Sequence, residues 1–149
     1  NQPLWRILPE FCQAHPRYER LGMRDLCEQI HGMYKANDVA RLTTEMYLSD
    51  MLPSMKPSDA FAAMAHREID RVEIDRLEGR VTSVLLTPYP PGIPLLVPGE
   101  RFNQTIVHYL QFAREFNRTF PGFDTDIHGL VEESIAGEAR YFVDCVRQN

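Results

Sequence analysis

The hydrophobic residues in the first half of the chain recur at intervals of three and four, the spacing that places them on one face of an α-helix. In residues 23–36 the apolar positions are Met23, Leu26, Ile30, Met33 and Tyr34. In the stretch that follows they are Val39, Leu42, Met46 and Leu48. The pattern therefore predicts an amphipathic helix in each stretch.

Prolines interrupt the segments on either side of these two helices. The first 22 residues are expected to form an irregular arm or short helical turns, with one buried face made of Trp5, Leu8 and Phe11. Further along, Ser58 follows Pro57 and is expected to cap a third amphipathic helix. The apolar residues assigned to that helix are Phe61, Met64 and Ala65.

The pattern changes after residue 80, where β-branched residues replace the helical spacing. Alternating side chains predict a strand from Val81 to Leu86, and the proline-bounded run IPLLVP at residues 93–98 predicts a second extended piece. Two apolar runs on either side of IAGEA, residues 135–139, predict a β-hairpin.

Between these strands, residues 103–116 have the clearest helical pattern in the chain. Asn103 is a favourable N-cap. The predicted buried positions are Ile106, Val107, Leu110, Ala113 and Phe116. Because helices precede short strands, we predict an α+β fold with N-terminal helices packed on mostly antiparallel strands and a C-terminal β-hairpin. The 149 residues fit a single domain spanning 1–149.

Composition and charge narrow the possible functions. A net charge of −5 argues against nucleic acid as a partner, and no apolar run approaches the eighteen or so residues of a membrane span. Three widely separated cysteines predict free thiols and a reducing, cytoplasmic location. The absence of an initiator Met or a leader suggests a piece of a longer polypeptide.

Two stretches carry candidate metal-binding side chains, HREID and DTDIH. The candidates are His66, Glu68, Asp70, Asp124, Asp126 and His128. Their spacing matches no established ligand signature. The favoured interpretation is that Asp124 or Asp126 caps a turn and that His128 makes a buried hydrogen bond.

A cysteine nucleophile is a second possibility, because Cys27 and His31 would share one face of a helix. Cys27 falls on or beside the apolar stripe, so a core position is favoured instead. The sequence contains no glycine-rich phosphate loop, since the proline-rich stretch PYPPGIP has few backbone N–H groups.

Three segments resemble the C-terminal domain of the bacterial ornithine/lysine/arginine decarboxylases. They are PYPPGIPLLVPGE at residues 88–100, FPGFDTDIHGL at residues 120–130, and LPEFCQAHPRYERLGMRDLCEQIHGMYK at residues 8–35. The resemblance implies an α+β domain that follows a pyridoxal phosphate domain of the aspartate-aminotransferase fold and helps to build a homodimer or larger ring. The full-length enzyme, with pyridoxal phosphate as its cofactor, would act on a small basic amino acid.

Within that family, IHGMYKANDVARLTTEMYLSD at residues 30–50 is most similar to the acid-inducible arginine decarboxylases involved in acid resistance. Arginine is therefore the expected substrate, with lysine or ornithine as alternatives. The family's Schiff-base lysine lies in a Ser-x-x-His-Lys motif, which neither Lys35 nor Lys56 has. The 149 residues alone are expected to hold no catalytic, cofactor-binding or metal-binding residue and to be inactive.

The proline-rich segment from Thr87 to Glu100 carries the two candidate site residues. Five prolines stiffen it. We expect it to be a rigid wall of the substrate entrance, with Tyr89 presenting its ring and Glu100 attracting a cationic substrate. The alternatives are that Tyr89 is a core aromatic and that Glu100 caps the helix after Asn103.

Two other functions remain open at this stage. One is a free-standing assembly or regulatory module that has the fold without the chemistry. The other is a small metal-dependent hydrolase that uses His66, Glu68, Asp126 and His128.

Overall fold

The computed structural model describes residues 1–149 and confirms the α+β class. The helices are α1 (Leu4–Ile7), α2 (Pro9–Ala14), α3 (Met23–Ala36), α4 (Val39–Leu48), α5 (Pro57–Ala65) and α6 (Gln104–Thr119). The strands are β1 (Ile69–Glu73), β2 (Thr87–Tyr89), β3 (Asp126–His128), β4 (Val131–Ile135) and β5 (Glu138–Val146). No helix combines the length and the apolar character that crossing a membrane requires.

The strands form two small antiparallel sheets. The larger has the order β1-β5-β4, with Ile69 opposite Val146 and Val131 opposite Phe142, and the smaller pairs β2 with β3. The predicted C-terminal hairpin is confirmed as β4 and β5. Its two-residue turn, Ala136-Gly137, has positive φ at both positions, as a tight hairpin turn requires.

Helix α6 lies at the centre of the structure because it contributes to both hydrophobic clusters. The larger cluster packs α6 against the sheets and includes Ile106, Leu110 and Ala113, whereas Phe112 and Phe116 belong to the smaller cluster with α1 to α4. All five residues of the predicted stripe are buried. Asn103 caps the helix as predicted: its Oδ1 accepts the Ile106 amide at 2.9 Å.

Helices α3 and α4 are confirmed, but the edges of their predicted apolar faces are exposed. Leu26, Val39 and Met46 are buried, whereas Leu48 is 79% exposed; Met23 and Tyr34 also lie at the surface. The prediction that Cys27 is a core residue is wrong: it is exposed, since one residue on a helix turns the side chain about 100° away from Leu26.

The short helical turns predicted for the N-terminal arm are confirmed as α1 and α2, but the buried face predicted for it is wrong. Leu4 and Cys12 are buried, whereas Trp5 and Leu8 are exposed and Phe11 is only half-buried. The chain breaks at Leu8 into two short helices, so the three-residue spacing does not continue from one to the other.

The face and cap predicted for α5 are also wrong. The helix begins at Pro57, so Ser58 lies inside its first turn and makes no capping bond. The small side chains of Ala60 and Ala63 face the protein, and Phe61 is 61% exposed. Small residues permit close helix packing, a signal that a count of large apolar residues misses.

The strand predicted from Val81 to Leu86 does not form as a continuous strand. Val81, Thr82 and Leu86 make isolated bridges to three different segments. Between them the Ser83 hydroxyl donates to the Asp144 carbonyl at 2.7 Å, which holds a bend against β5. One edge of the sheet is instead formed by β1, which sequence reasoning missed because only one of its residues, Val72, is buried.

The second extended piece is partly confirmed, since Leu96 bridges to Leu86 and both residues are fully buried. A short 3-10 helix, Ile74–Arg76, follows β1 and is tied to α6 by an ion pair. The Asp75 carboxylate accepts from Arg114 at 2.7 Å and from Gln111 at 2.8 Å. The hydrogen bond from Arg114 holds the pKa of Asp75 below its usual value, although burial acts against it.

Replacement Asp75→Asn tests this tie. The Asp75 side chain is 45% exposed, so screening limits the expected loss of unfolding free energy at pH 7 to about 0.5 kcal/mol. Because the folded pKa is depressed, the contribution is complete above the ordinary aspartate pKa of about 3.9 and disappears as pH falls through the folded value. Urea unfolding at pH 7 and at pH 2.5 measures the difference.

The control is Glu78→Gln, since Glu78 is exposed and forms no ion pair. It should change stability at neither pH. An Asp75→Asn difference that persists unchanged at pH 2.5 would contradict the ion-pair explanation.

Candidate functional site

An apolar cleft of about 590 Å³ lies between helices α3, α4 and α6 and the proline-rich segment. We call it the aromatic cleft; it is lined by Ile30, Tyr34, Val39, Ala40, Thr43, Tyr89, Pro90, Tyr109, Phe112, Phe116, Phe123, Asp124 and Thr125. Its volume lies within the range usual for small-molecule sites. The rings of Tyr34, Phe112 and Phe116 contact one another, with centroids 5.5–6.0 Å apart.

Tyr89 ends strand β2 and forms part of the cleft rim. Its side chain is 44% exposed, so the alternative of a core aromatic is wrong. The ring packs on His128, with centroids 4.6 Å apart. On another side it lies against Gly92, where an added Cβ would come within 2.9 Å of the ring. The segment therefore holds this ring in a defined place.

Local geometry at the prolines produces this arrangement. The Tyr89-Pro90 and Pro90-Pro91 peptide bonds are cis. The Gly92 amide donates to the Pro88 carbonyl at 2.8 Å, which closes the turn. Gly92 has φ +83°, a conformation that glycine adopts readily.

Tyr109 and Asp124 are two of the polar residues in this mainly apolar cleft. Tyr109 is 5% exposed, and burial raises its pKa to about 12, with smaller contributions from Tyr47 and Tyr34. Its hydroxyl is therefore neutral at physiological pH. Asp124 is an exposed carboxylate on the loop before β3. Sequence reasoning named Asp124 only as a metal or turn candidate, and it missed Tyr109. The signal for Tyr109 is that Tyr109 and Phe112 lie beside the predicted α6 stripe, which makes the apolar face of the helix wider than the stripe alone.

Glu100 is separated from the cleft lining. It is half-buried, and its backbone pairs with Pro53. Its carboxylate accepts the Val97 amide at 2.8 Å, which closes a turn. The alternative in which Glu100 caps α6 is wrong, because Asn103 does so.

The metal candidates do not come together. No group of three or more His, Cys, Asp or Glu side chains is placed to hold a metal ion. Asp126 and His128 share one face of β3, with His128 Nε2 3.3 Å from Asp126 Oδ2. His128 is exposed, so the buried hydrogen bond predicted for it is wrong. Asp70 instead pairs with Arg80 and Arg147.

The residues present do not fit a pyridoxal phosphate site. Lys35 and Lys56, the two lysines, are both exposed, and neither lines the aromatic cleft. A lysine that forms a Schiff base with this cofactor needs a desolvated amine. The buried thiol of Cys145 is no substitute nucleophile, because burial raises its pKa to about 12.

Comparison with known proteins identifies the class. Residues 40–147 match the family model described as Orn/Lys/Arg decarboxylase, C-terminal domain. The chain belongs to this family, which confirms the resemblance seen in the sequence.

Individual relatives support the same assignment. Lysine decarboxylase LdcA of Pseudomonas aeruginosa is 43% identical over 99% of the chain, and the biodegradative arginine decarboxylase of Escherichia coli is 32% identical over 99%. The solved structure of lysine decarboxylase A from Pseudomonas aeruginosa matches with a TM-score of 0.91, at 44% identity over 99% of the chain and 20% of that structure. The chain spans about a fifth of the length of these relatives. The expected preference for arginine gains no support, since the relative at 43% identity is a lysine decarboxylase.

Two glycine substitutions test how Tyr89 is held. Gly92→Ala introduces a Cβ against the Tyr89 ring at a positive φ. The free energy of unfolding, measured by thermal unfolding, should therefore fall by about 1–3 kcal/mol. Gly32→Ala is the matched control, because Gly32 lies in α3 with open space around it. That change should stabilise the protein by about 0.5–1 kcal/mol. Equal effects of the two substitutions would show that the turn does not depend on Gly92.

Proposed function

We propose that this chain is the C-terminal domain of a full-length pyridoxal phosphate-dependent decarboxylase of a basic amino acid. The observation that carries the proposal is the family match over residues 40–147. The likeness to LdcA favours lysine as the substrate over arginine or ornithine. The cofactor chemistry belongs to the upstream domain, and the present residues support the assembled enzyme, which by the resemblance is a cytoplasmic homodimer or larger ring. Three free thiols are in keeping with that location.

An exposed apolar surface supports a role within a larger protein. We define the apolar face by Leu48, Leu52, Leu85, Ile93 and Val97, whose exposed fractions run from 36% to 79%. Exposed apolar groupings of this kind mark contact surfaces in proteins.

Backbone contacts bring these five residues together. The antiparallel bridge between Leu86 and Leu96 places Leu85 opposite Val97. The Tyr47 hydroxyl donates to the Ile93 carbonyl at 3.2 Å, which joins the end of α4 to the proline-rich segment. The Arg101 amide donates to the Leu52 carbonyl at 3.1 Å on the other side.

Charge distinguishes the apolar face from the three-stranded sheet. Residues 81–99 contain no charged side chain. The sheet, by contrast, carries Arg71, which pairs with Asp144 and Glu133, and Arg140, which pairs with Glu73. An apolar face whose longest stretch, residues 81–99, carries no charge is suited to burial against another part of the same polypeptide, whereas a free-standing module would leave it in water; the exposed Asp50 lies between Leu48 and Leu52 in the chain. The face therefore favours the decarboxylase domain over the assembly-module alternative.

The double substitution Leu85→Ser/Val97→Ser tests this contact. Both residues are exposed, so the unfolding free energy of the 149-residue chain should change by less than about 0.5 kcal/mol per site. The full-length protein should instead melt several degrees lower, because the substitutions remove buried apolar area. Ile135→Ser is the control: Ile135 is similarly exposed but lies beside the β4–β5 turn. A full-length melting temperature that is unaffected would exclude the face as an interdomain contact.

We further propose that Tyr89 and Glu100 border the route by which substrate reaches the catalytic domain. Support for Tyr89 comes from its exposed ring, held between His128 and Gly92 beside the apolar face. A wall that is ordered in advance loses no further entropy when substrate arrives. Glu100 adds negative charge at the opposite end of the same segment, where it would raise the local concentration of a cationic substrate.

Substitution Glu100→Gln in the full-length enzyme separates the charge from the turn. Glutamine keeps an oxygen acceptor for the Val97 amide, so the melting temperature should change little. Loss of the charge should raise KM about two- to fivefold with little change in kcat and should weaken the salt dependence of kcat/KM. Steady-state kinetics at low and high salt measures both effects.

Glu100→Ala serves as the comparison, because it removes the charge and the hydrogen bond together. It should raise KM as Glu100→Gln does and also lower stability by about 1 kcal/mol. If Glu100→Ala lowers stability while neither variant changes KM, the residue is structural only.

A further inference from the structure

The lining of the aromatic cleft has an uneven charge distribution. It contains one carboxylate, Asp124, and no arginine, lysine or histidine. A carboxylate accepts hydrogen bonds and favours a cation beside it. The aromatic faces of the lining favour a cation as well, through their quadrupoles. The cleft is therefore suited to a cationic group and offers nothing to pair with an anion.

Tyr109 provides a second, independent indication of a ligand. The residue is 95% buried, yet its hydroxyl forms no hydrogen bond within the chain, and it lines the cleft. The enclosed side-chain N and O atoms without a partner are Nε of Arg80 and Nε of Arg114, so the Tyr109 hydroxyl retains solvent access and can donate to a molecule in the cleft. Tyr109 also lines an adjoining hollow with Tyr47, Pro90 and Pro91. Tyr109 therefore borders both openings, which suits an elongated molecule.

We propose that the aromatic cleft binds an alkylamine of the diaminoalkane class, with its ammonium group at Asp124 and its methylene chain over the aromatic rings. Decarboxylation of a basic amino acid yields CO₂ and such an amine, so the identification of the ligand as product rests on the proposed function. The amino acid itself is disfavoured, because its α-carboxylate would enter a cleft with no basic side chain in the lining to pair with it. The cleft thus distinguishes product from substrate and serves as a product-binding site.

Equilibrium dialysis of the full-length holoenzyme with radiolabelled 1,5-diaminopentane tests the proposal. The expected result is two molecules bound per protomer, one at the catalytic site and one in the cleft. Asp124→Asn should weaken the second site about tenfold or more, since it replaces a charge-assisted hydrogen bond with a neutral one. Tyr109→Phe should weaken it about fivefold by removing one neutral hydrogen bond.

The control variant is Asp126→Asn. Asp126 is an exposed carboxylate two residues away that does not line the cleft, and it should leave both sites unchanged. The proposal is overturned if the wild-type enzyme binds only one diamine per protomer. It is also overturned if the wild type and Asp124→Asn bind the same number of diamine molecules with the same affinities. A protein that releases no CO₂ from lysine, arginine or ornithine but still binds one diamine in an Asp124-dependent way would refute the proposed function and leave the amine site standing.

Discussion

Burial of helix α6 is the packing constraint on which the other elements depend. Its two sides enter two separate hydrophobic clusters, one with the sheets and one with the N-terminal helices. Asn103 begins the helix by capping it and also donates to the Ser49 hydroxyl at 2.8 Å, which fixes the end of α4 against the start of α6. Without α6, each of the two hydrophobic clusters would lose part of its packing, and no helix would connect them.

The candidate site is a consequence of this arrangement. Helices α3 and α4 pack on one side of α6, and the proline-rich segment crosses beside it, so the space between them is walled by aromatic residues. Tyr109 and Phe112 lie on the flanks of the α6 stripe and face that space. The same segment places Ile93 and Val97 at the surface, and Leu85 lies just before it. A single stretch of chain thereby contributes both to the aromatic cleft and to the apolar face.

The sequence predicts the helices well because their signals are local. The cap at Asn103 and the spacing of the α6 stripe are fixed by residues a few positions apart. The failures concern contacts between distant residues: Val81 to Leu86 forms bridges to three segments rather than one strand, and β1 depends on β5, more than sixty residues away. The residues of the candidate site divide in the same way, into those with a local sequence signal and those placed by contacts between distant residues. Tyr89 could be singled out from its proline context, whereas the roles of Tyr109 and Asp124 depend on helices that meet only in three dimensions.

The order of the strands has a consequence for the way in which the domain forms. Strand β5 is the middle of its sheet, yet it follows both of its neighbours in the chain. During synthesis, β1 has no partner until β5 has left the ribosome, and contacts of such long sequence separation form slowly. The helices can assemble around α6 earlier, but the three-stranded sheet forms only after β5 has been synthesised. A ribosome that stalls before β5 therefore holds a helical subdomain with part of its larger core uncovered, which is the form of the domain that chaperones are expected to bind.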